Sequence, residues 1–251
     1  MKSETSECNK PPCMETVLEP RIDVTNINEK IYDFLKKHIV NFTYPPGYKL
    51  NVRQLRKELG VSQTPIKDAL FRLAGEGLVE ISSRRGTFVK EVTDQDITEL
   101  YDTRMILEAG AGESIAKNIT DQQLDELERL YEGTLRTDAN TDYRIFMERE
   151  KEFHLAIIRF TKNKRLLNIY NQLNPHMQAV RFRFGEQALG RLPKTNQEHE
   201  SILNSFKKRD PLRVKEAIKH HLSTGKGAFL AKVSHDTTNS LESSKHSEQP
   251  I

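Results

Sequence analysis

The stretch GVSQTPIKDALFRLAGEGLV, Gly60 to Val79, leaves this chain few ways to fold. Glycine takes the left-handed conformation without steric cost, so Gly60 suits the position just past a helix end. Ser62 is placed to cap the next helix, its hydroxyl accepting a backbone N–H two or three residues on. Pro65 falls in that helix's first turn, where a missing N–H does no harm. Ile66, Leu70 and Leu73, with Ala69 alongside, recur at three- and four-residue spacing and make one apolar stripe. Gly77 stops the helix, and Leu78, Val79 and Ile81 are the apolar members of a short strand. A helix closed so early, with a strand directly after it, belongs to a compact module and not to a long bundle.

The flanking residues complete that module. Asn51 can cap VRQLRKELG, which carries Val52, Leu55 and Leu59 on one face. Gly60 and Val61 then join the two helices by a tight connection of the helix-turn-helix kind. Downstream, LVEIS and TFVKEV flank Ser83-Arg84-Arg85-Gly86, which predicts a hairpin with a basic tip. A helix able to enter a major groove, beside an arginine-tipped wing, points to double-stranded DNA. The charge distribution agrees. Net charge is only +3, yet Glu29 to Glu91 holds 12 Lys/Arg against 7 Asp/Glu, so the basic surplus sits in this module.

These residues resemble the GntR family of bacterial transcription regulators. The matching runs are Pro45-Pro46-Gly47-Tyr48-Lys49-Leu50, Val61 to Leu70, Glu76-Gly77-Leu78-Val79 and Arg85-Gly86-Thr87-Phe88-Val89. In that family the positions matched by Arg53, Gln63, Thr64 and Lys67 touch DNA, and a wing tip matched by Arg84, Arg85 and Gly86 enters the minor groove. Ser62, at the helix entry, joins this set. By base chemistry Arg53 and Lys67 can read guanine, and Gln63 can read adenine through its amide. The family usually has arginine where this chain has Gln63, and commonly where it has Lys67, so an altered half-site is expected. The resemblance also implies a homodimer on a pseudo-palindromic operator. The plainer alternative makes these side chains a solvated face on a protein-binding winged helix.

At 251 residues there is room for two ordinary domains. Residues 1–24 are polar and aperiodic, and are expected to be a disordered tail. Cys8 and Cys13, the only cysteines, lie within it, read as a solvated pair with a metal pair as the alternative. The DNA-binding domain is expected over residues 25–92, beginning with a helix through Ile27, Ile31, Phe34, Leu35, Ile39 and Phe42. No signal-like or membrane-length apolar run is present, so a cytoplasmic protein is expected.

From residue 93 to residue 233 helical periodicity dominates and no segment alternates like a strand. Thr93-x-x-Asp96 and Thr120-x-x-Gln123 read as capping boxes, as does Thr195-x-x-Glu198. Further helices are expected from Tyr143 to Phe160, from Arg165 to about Ala188 with a kink at Pro175, and from Asp210-Pro211 to about Val233. The fold class is therefore mainly α: a winged helix-turn-helix with a small β-hairpin, then an all-α bundle of about six helices. Residues 234–251 are expected to be a disordered tail.

Within the bundle, Glu150 and His154 are one turn apart on one helix face, and His199 and His221 lie on two later helices. Carboxylate and imidazole are ligands for zinc, nickel, manganese or iron. Each histidine alone reads equally as a polar interfacial residue. His220 points about 100° away from His221 and cannot share its role. His176 and His38 read as surface or interface residues.

The bundle also resembles the FCD effector domain of the FadR-like GntR branch, through Tyr101-x-x-Arg104-x-x-x-Glu108, Glu150-x-x-Phe153-His154, Asn163, Glu198-His199 and His221-Leu222. The resemblance implies a divalent metal, zinc first, on Glu150, His154, His199 and His221. Glu150 replaces the usual aspartate, and its extra methylene moves the carboxylate by about 1.5 Å. Arg104 and Arg181 are candidates for pairing with a small organic acid effector. Arg104 has an equal alternative in an intrahelical pair with Glu108. The expected function is a ligand-responsive transcription regulator, a repressor. Two rivals stand beside it: structural histidines with an apolar, acyl-type effector, and a metal-dependent hydrolase.

Overall fold

The computed structural model describes residues 24–136 and 143–245. Cys8 and Cys13 lie outside the described residues. The first unit consists of α1 (Val24–Val40), α2 (Val52–Leu59), α3 (Gln63–Gly75), β1 (Val79–Ser82) and β2 (Gly86–Val89). Its core is built where the apolar spacing put it. Leu35, Leu55, Ile66, Leu70 and Leu73 meet Leu78, Val79 and Val89 of the hairpin, all buried. The strands pair antiparallel, Val79 opposite Val89 and Ser82 opposite Gly86. Three residues turn the wing, and Lys49 bridges to Phe88 on its outer side.

Helix ends follow local chemistry. The Asn51 side chain accepts the N–H groups of Arg53 and Gln54 at 3.0 and 3.3 Å. Gly60 is left-handed with φ 66°. Past α3, Gly77 has φ 73°, and Leu78 N–H donates to Leu73 C=O while Gly77 N–H donates to Ala74 C=O, a Schellman closure. The expectation for Ser62 needs correcting. It occupies the N-cap position, but its hydroxyl accepts no capping hydrogen bond. Pro65 stands three residues on, so the N–H that such a hydroxyl favours does not exist. Replacing Asn51 with alanine is expected to lower stability by ~1 kcal/mol, the usual cost of a lost N-cap, read as a lower unfolding midpoint.

The second unit is helical throughout its described residues: α4 (Asp94–Ala116), α5 (Asp121–Leu135), α6 (Tyr143–Phe160), α7 (Lys164–Leu189), α8 (Leu192–Lys207) and α9 (Pro211–Lys245). Both boxes at Thr93 and Thr120 form, and Asp210 caps α9 ahead of Pro211. Thr195 and Glu198 do not form one. The helix begins a turn earlier, with Pro193 in its first turn, and Thr195 and Glu198 both accept from Arg191 instead. Pro175 lies inside α7 without ending it. Helix α9 also runs beyond the expected Val233 to Lys245, into the stretch expected to be a tail. Its serines and threonines are weak helix formers, but no glycine or proline between Gly227 and Pro250 stops the helix.

The α4–α9 contact sets the depth of the bundle. A Cβ at Gly112 would lie 2.5 Å from Ile218 Cδ1 and 2.8 Å from Val214 Cγ1. Only a glycine lets these helices approach so closely. Gly112→Ala is expected to cost about 1–3 kcal/mol by overpacking, measured by chemical denaturation. The two units touch where His176 of α7 lies against Gly77, and where Lys90 pairs with Asp96 at 2.6 Å. No described helix is long and apolar enough to cross a membrane.

Candidate metal centre and DNA-reading surface

Helices α6, α8 and α9 bring Glu150, His154, His199 and His221 together, with one ligand atom from each inside a 4.8 Å cluster. All four are buried, His199 completely. His154 Nε2 is 3.1 Å from His221 Nε2 and 3.2 Å from Glu150 Oε2. Glu150 Oε1 is 3.6 Å from His199 Nε2 and 4.0 Å from His221 Nε2. Atoms bound side by side to an ion at ~2.1 Å lie roughly 3.0–3.4 Å apart, so these spacings fit with little adjustment.

The outer contacts settle which ring atoms face inward. His154 Nδ1 lies 2.6 Å from Glu108 Oε2, and His221 Nδ1 lies 2.9 Å from Glu198 Oε2. Each carboxylate takes an Nδ1–H, which leaves the lone pair on Nε2, the arrangement by which proteins orient metal-binding imidazoles. The two Nε2 atoms face each other at 3.1 Å, a gap that either one shared proton or one cation can bridge. His199 stacks on Phe153 with ring centroids 4.4 Å apart, and neither of its nitrogens has a hydrogen-bond partner among the described residues. A buried imidazole left unpaired costs free energy unless something absent from the protein chain binds it.

Electrostatics favour the ligating form of three of the four donors. Burial pushes His199 well below the usual histidine range and lowers His221 too. Burial opposes the charge on Glu150, but His154, His199 and Arg181 outweigh it and hold the carboxyl well below its usual range. His154 alone is raised, because Glu108 and Glu150 overcome its desolvation. Glu198, opposed by burial but held by His221, Thr224 and Arg191, is brought down to about 2.

Arg104 and Arg181 flank the cluster. Arg104 Nε donates to Glu108 at 2.6 Å, so the intrahelical pair exists. Arg181 donates to Met147 C=O at 3.1 Å and to Glu150 at 3.4 Å. Both arginines also line one recess with Lys151, His154, Tyr170 and Gln178. Sequence reasoning missed the supporting layer. Glu108 was visible only as a partner for Arg104, and nothing in the spacing announced that Tyr170 would donate to it at 2.8 Å from another helix. Nor did it announce Arg191, which holds both oxygens of Glu198 at 2.8 Å. His220 is exposed, one position from buried His221.

At the opposite end, Arg53, Arg56, Lys57, Ser62 and Gln63 line an open concavity of about 700 Å³ around the α2–α3 turn. The uncommitted Ser62 hydroxyl and the free N–H groups at the start of α3 sit among these cations, a setting suited to a phosphate. Arg56 and Lys57 had not been singled out. Thr64 and Lys67 are exposed on the outer face of α3. Arg84 and Arg85 are exposed at the wing tip, where Gly86 has φ 109° and Arg85 makes a loose 3.3 Å pair with Glu80.

Comparison with known proteins matches both units. Residues 27–89 fit the model of the bacterial regulatory proteins, gntR family, and residues 99–224 fit the FCD domain. The HTH-type transcriptional regulator YdhC of Bacillus subtilis (strain 168) is 30% identical over 208 residues, covering 82% of this chain and 88% of that protein. The HTH-type transcriptional repressor RspR of Escherichia coli (strain K12) is 23% identical over 209 residues, covering 83% and 90%. The solved structure of E. coli McbR/YncC has the same fold, with a TM-score of 0.68 at 22% identity over 82% of this chain and 98% of that one. Family and relatives are transcription regulators, which removes the hydrolase alternative. The chain belongs to the gntR family of bacterial regulatory proteins, with an FCD domain as its helical unit.

Proposed function

We propose that this protein is a repressor whose bundle holds a divalent ion on Glu150, His154, His199 and His221, and which releases its operator when a small carboxylate binds beside that ion. The observation that carries the reading is His199: fully buried, without a hydrogen-bond partner at either nitrogen among the described residues, and beside three other donors. A bound divalent ion supplies a Lewis-acidic anchor with open positions for an oxygen ligand. Arg181 and Arg104 then orient the carboxylate from the recess wall. That recess measures about 10 Å³, room for roughly one water. A carboxylate therefore enters by pushing aside side chains of α6 and α7, such as Lys151 and Gln178. Helix α7 also carries His176, whose ring lies against Gly77 at the closing turn of α3. Displacement of α7 is thus felt at the DNA-reading helix.

The test is thermal unfolding against a panel of small carboxylates, on metal-loaded and chelator-stripped protein, paired with operator binding. A carboxylate that raises the midpoint only of loaded protein must weaken operator binding by the factor by which operator weakens it. A saturating carboxylate that leaves operator affinity unchanged removes this mode of regulation. DNA reading by Arg53, Ser62, Gln63, Thr64, Lys67, Arg84, Arg85 and Gly86 of a homodimer on a pseudo-palindrome has its own check. Lys67→Ala is expected to cost about 1–3 kcal/mol of specific operator affinity, with the unfolding midpoint unmoved. Equal affinity of variant and parent for operator and for random duplex would end that assignment.

A further inference from the structure

Phe71 is 64% exposed on α3, the helix assigned to the major groove. The buried stripe of α3 consists of Ile66, Ala69, Leu70 and Leu73, and Phe71 is not part of it. Successive residues advance 100° around a helix, which places Phe71 between Thr64 and Lys67 in angle, at the middle of the outward face. The surrounding side chains on that face are polar: Thr64, Lys67 and Asp68 are all exposed. A single large apolar ring stands there outside the buried core. Resting on the DNA-reading assignment, we infer that Phe71 is a specificity residue that packs its ring against the 5-methyl group of a thymine in each operator half-site. The occupant is DNA because the ring shares the outward face of α3 with Thr64 and with Lys67 one turn before it, on the helix whose start is ringed by the Arg53–Lys57 cations. In the major groove, thymine alone among the four bases offers a methyl, and apolar side chains select it. Register follows from geometry. Phe71 lies about 6 Å along the helix from Lys67, which spans roughly two base steps of ~3.4 Å. The thymine is therefore expected about two base pairs from the base that Lys67 contacts.

The experiment uses the full chain and a duplex selected by it from a random-sequence pool. Each thymine of the half-site is replaced in turn by deoxyuridine, which removes only the methyl. One position per half-site should weaken binding about fourfold, the worth of burying one methyl group. In Phe71→Ala that position should become insensitive to the substitution, and in Phe71→Leu most of the sensitivity should return. Exposure of the ring makes both variants expected to fold, checked by an unchanged unfolding midpoint. A flat deoxyuridine scan with the parent protein overturns the inference, as does a scan unaltered by Phe71→Ala. A change of oligomeric state in Phe71→Ala without DNA would reassign the ring to a contact between copies of the chain. Failure of the pool to yield any preferred duplex would instead remove the DNA-reading function itself, and this inference with it.

Discussion

Replacing His199 with leucine should remove most of the stabilisation that a divalent ion gives the protein, while leaving the chelator-stripped protein as stable as the parent or more so. An ion at a thousandfold excess over its Kd, binding only the native state, raises stability by about 4 kcal/mol. His199 is where that gain and its absence are most cleanly separated. It is fully buried, neither nitrogen has a hydrogen-bond partner among the described residues, and one face of its ring is covered by Phe153. An unpaired buried polar group costs about 1–3 kcal/mol, and a side chain of similar size without polar atoms does not incur it. Losing a donor should weaken ion binding by more than the roughly 10–100-fold seen on altering outer-shell partners. The check is a pair of denaturation curves for each protein, with zinc and with chelator. If stripped His199→Leu is much less stable than stripped parent, the imidazole has a structural role. If the variant gains as much from zinc as the parent does, His199 is not a ligand.

What the sequence made legible was whatever is decided within a few residues. Asn51, Gly60, Gly77, Thr93, Thr120 and Asp210 all mark helix ends, and each acts through groups at most five positions away. The apolar stripes of α1 to α3 were equally plain, because one helix face had to be buried. Two local signals misled for physical reasons. The proline three residues past Ser62 removed the donor its hydroxyl needed, and Arg191 drew Thr195 and Glu198 into a different network. At the site, the four donors were legible by residue type, by one-turn spacing for two of them, and by resemblance to the FCD pattern for the set. Their supports were not. Glu108 reaches His154 across 46 positions and Tyr170 across 62, and no local periodicity encodes a contact that only bundle packing creates. Phe71 was legible in principle, since at 100° per residue it falls opposite the stripe of Ile66, Ala69, Leu70 and Leu73, but a lone apolar residue on an outward face is common and announces nothing by itself.

Glu108 carries the second large effect, because one fully buried carboxylate joins three helices. It accepts from Arg104 Nε of α4 at 2.6 Å, from His154 of α6 at 2.6 Å and from Tyr170 of α7 at 2.8 Å. Burial opposes its charge, but Arg104, His154 and Tyr170 together hold it well below the usual carboxylate range, so it is ionised in the native protein. Glu108→Gln keeps the shape and removes the charge, leaving Arg104 buried without its counter-ion. Breaking a buried pair in this way costs about 3–5 kcal/mol, to be measured by urea denaturation of stripped protein. His154 loses its orienting carboxylate in the same variant, so ion affinity should fall about 10–100-fold. Adding Arg104→Met separates the two effects: the orphaned charge is gone, so most of the stability should return, while ion affinity stays low. Recovery of both by the double variant would mean that Glu108 acts on His154 only through the arginine. Stability recovered without affinity would make Glu108 the point at which the ion, the arginine of the recess and helix α7 are tied together. Through His176, the same helix reaches the closing turn of α3. On that outcome, ion affinity and the stability of the bundle depend on a single buried charge.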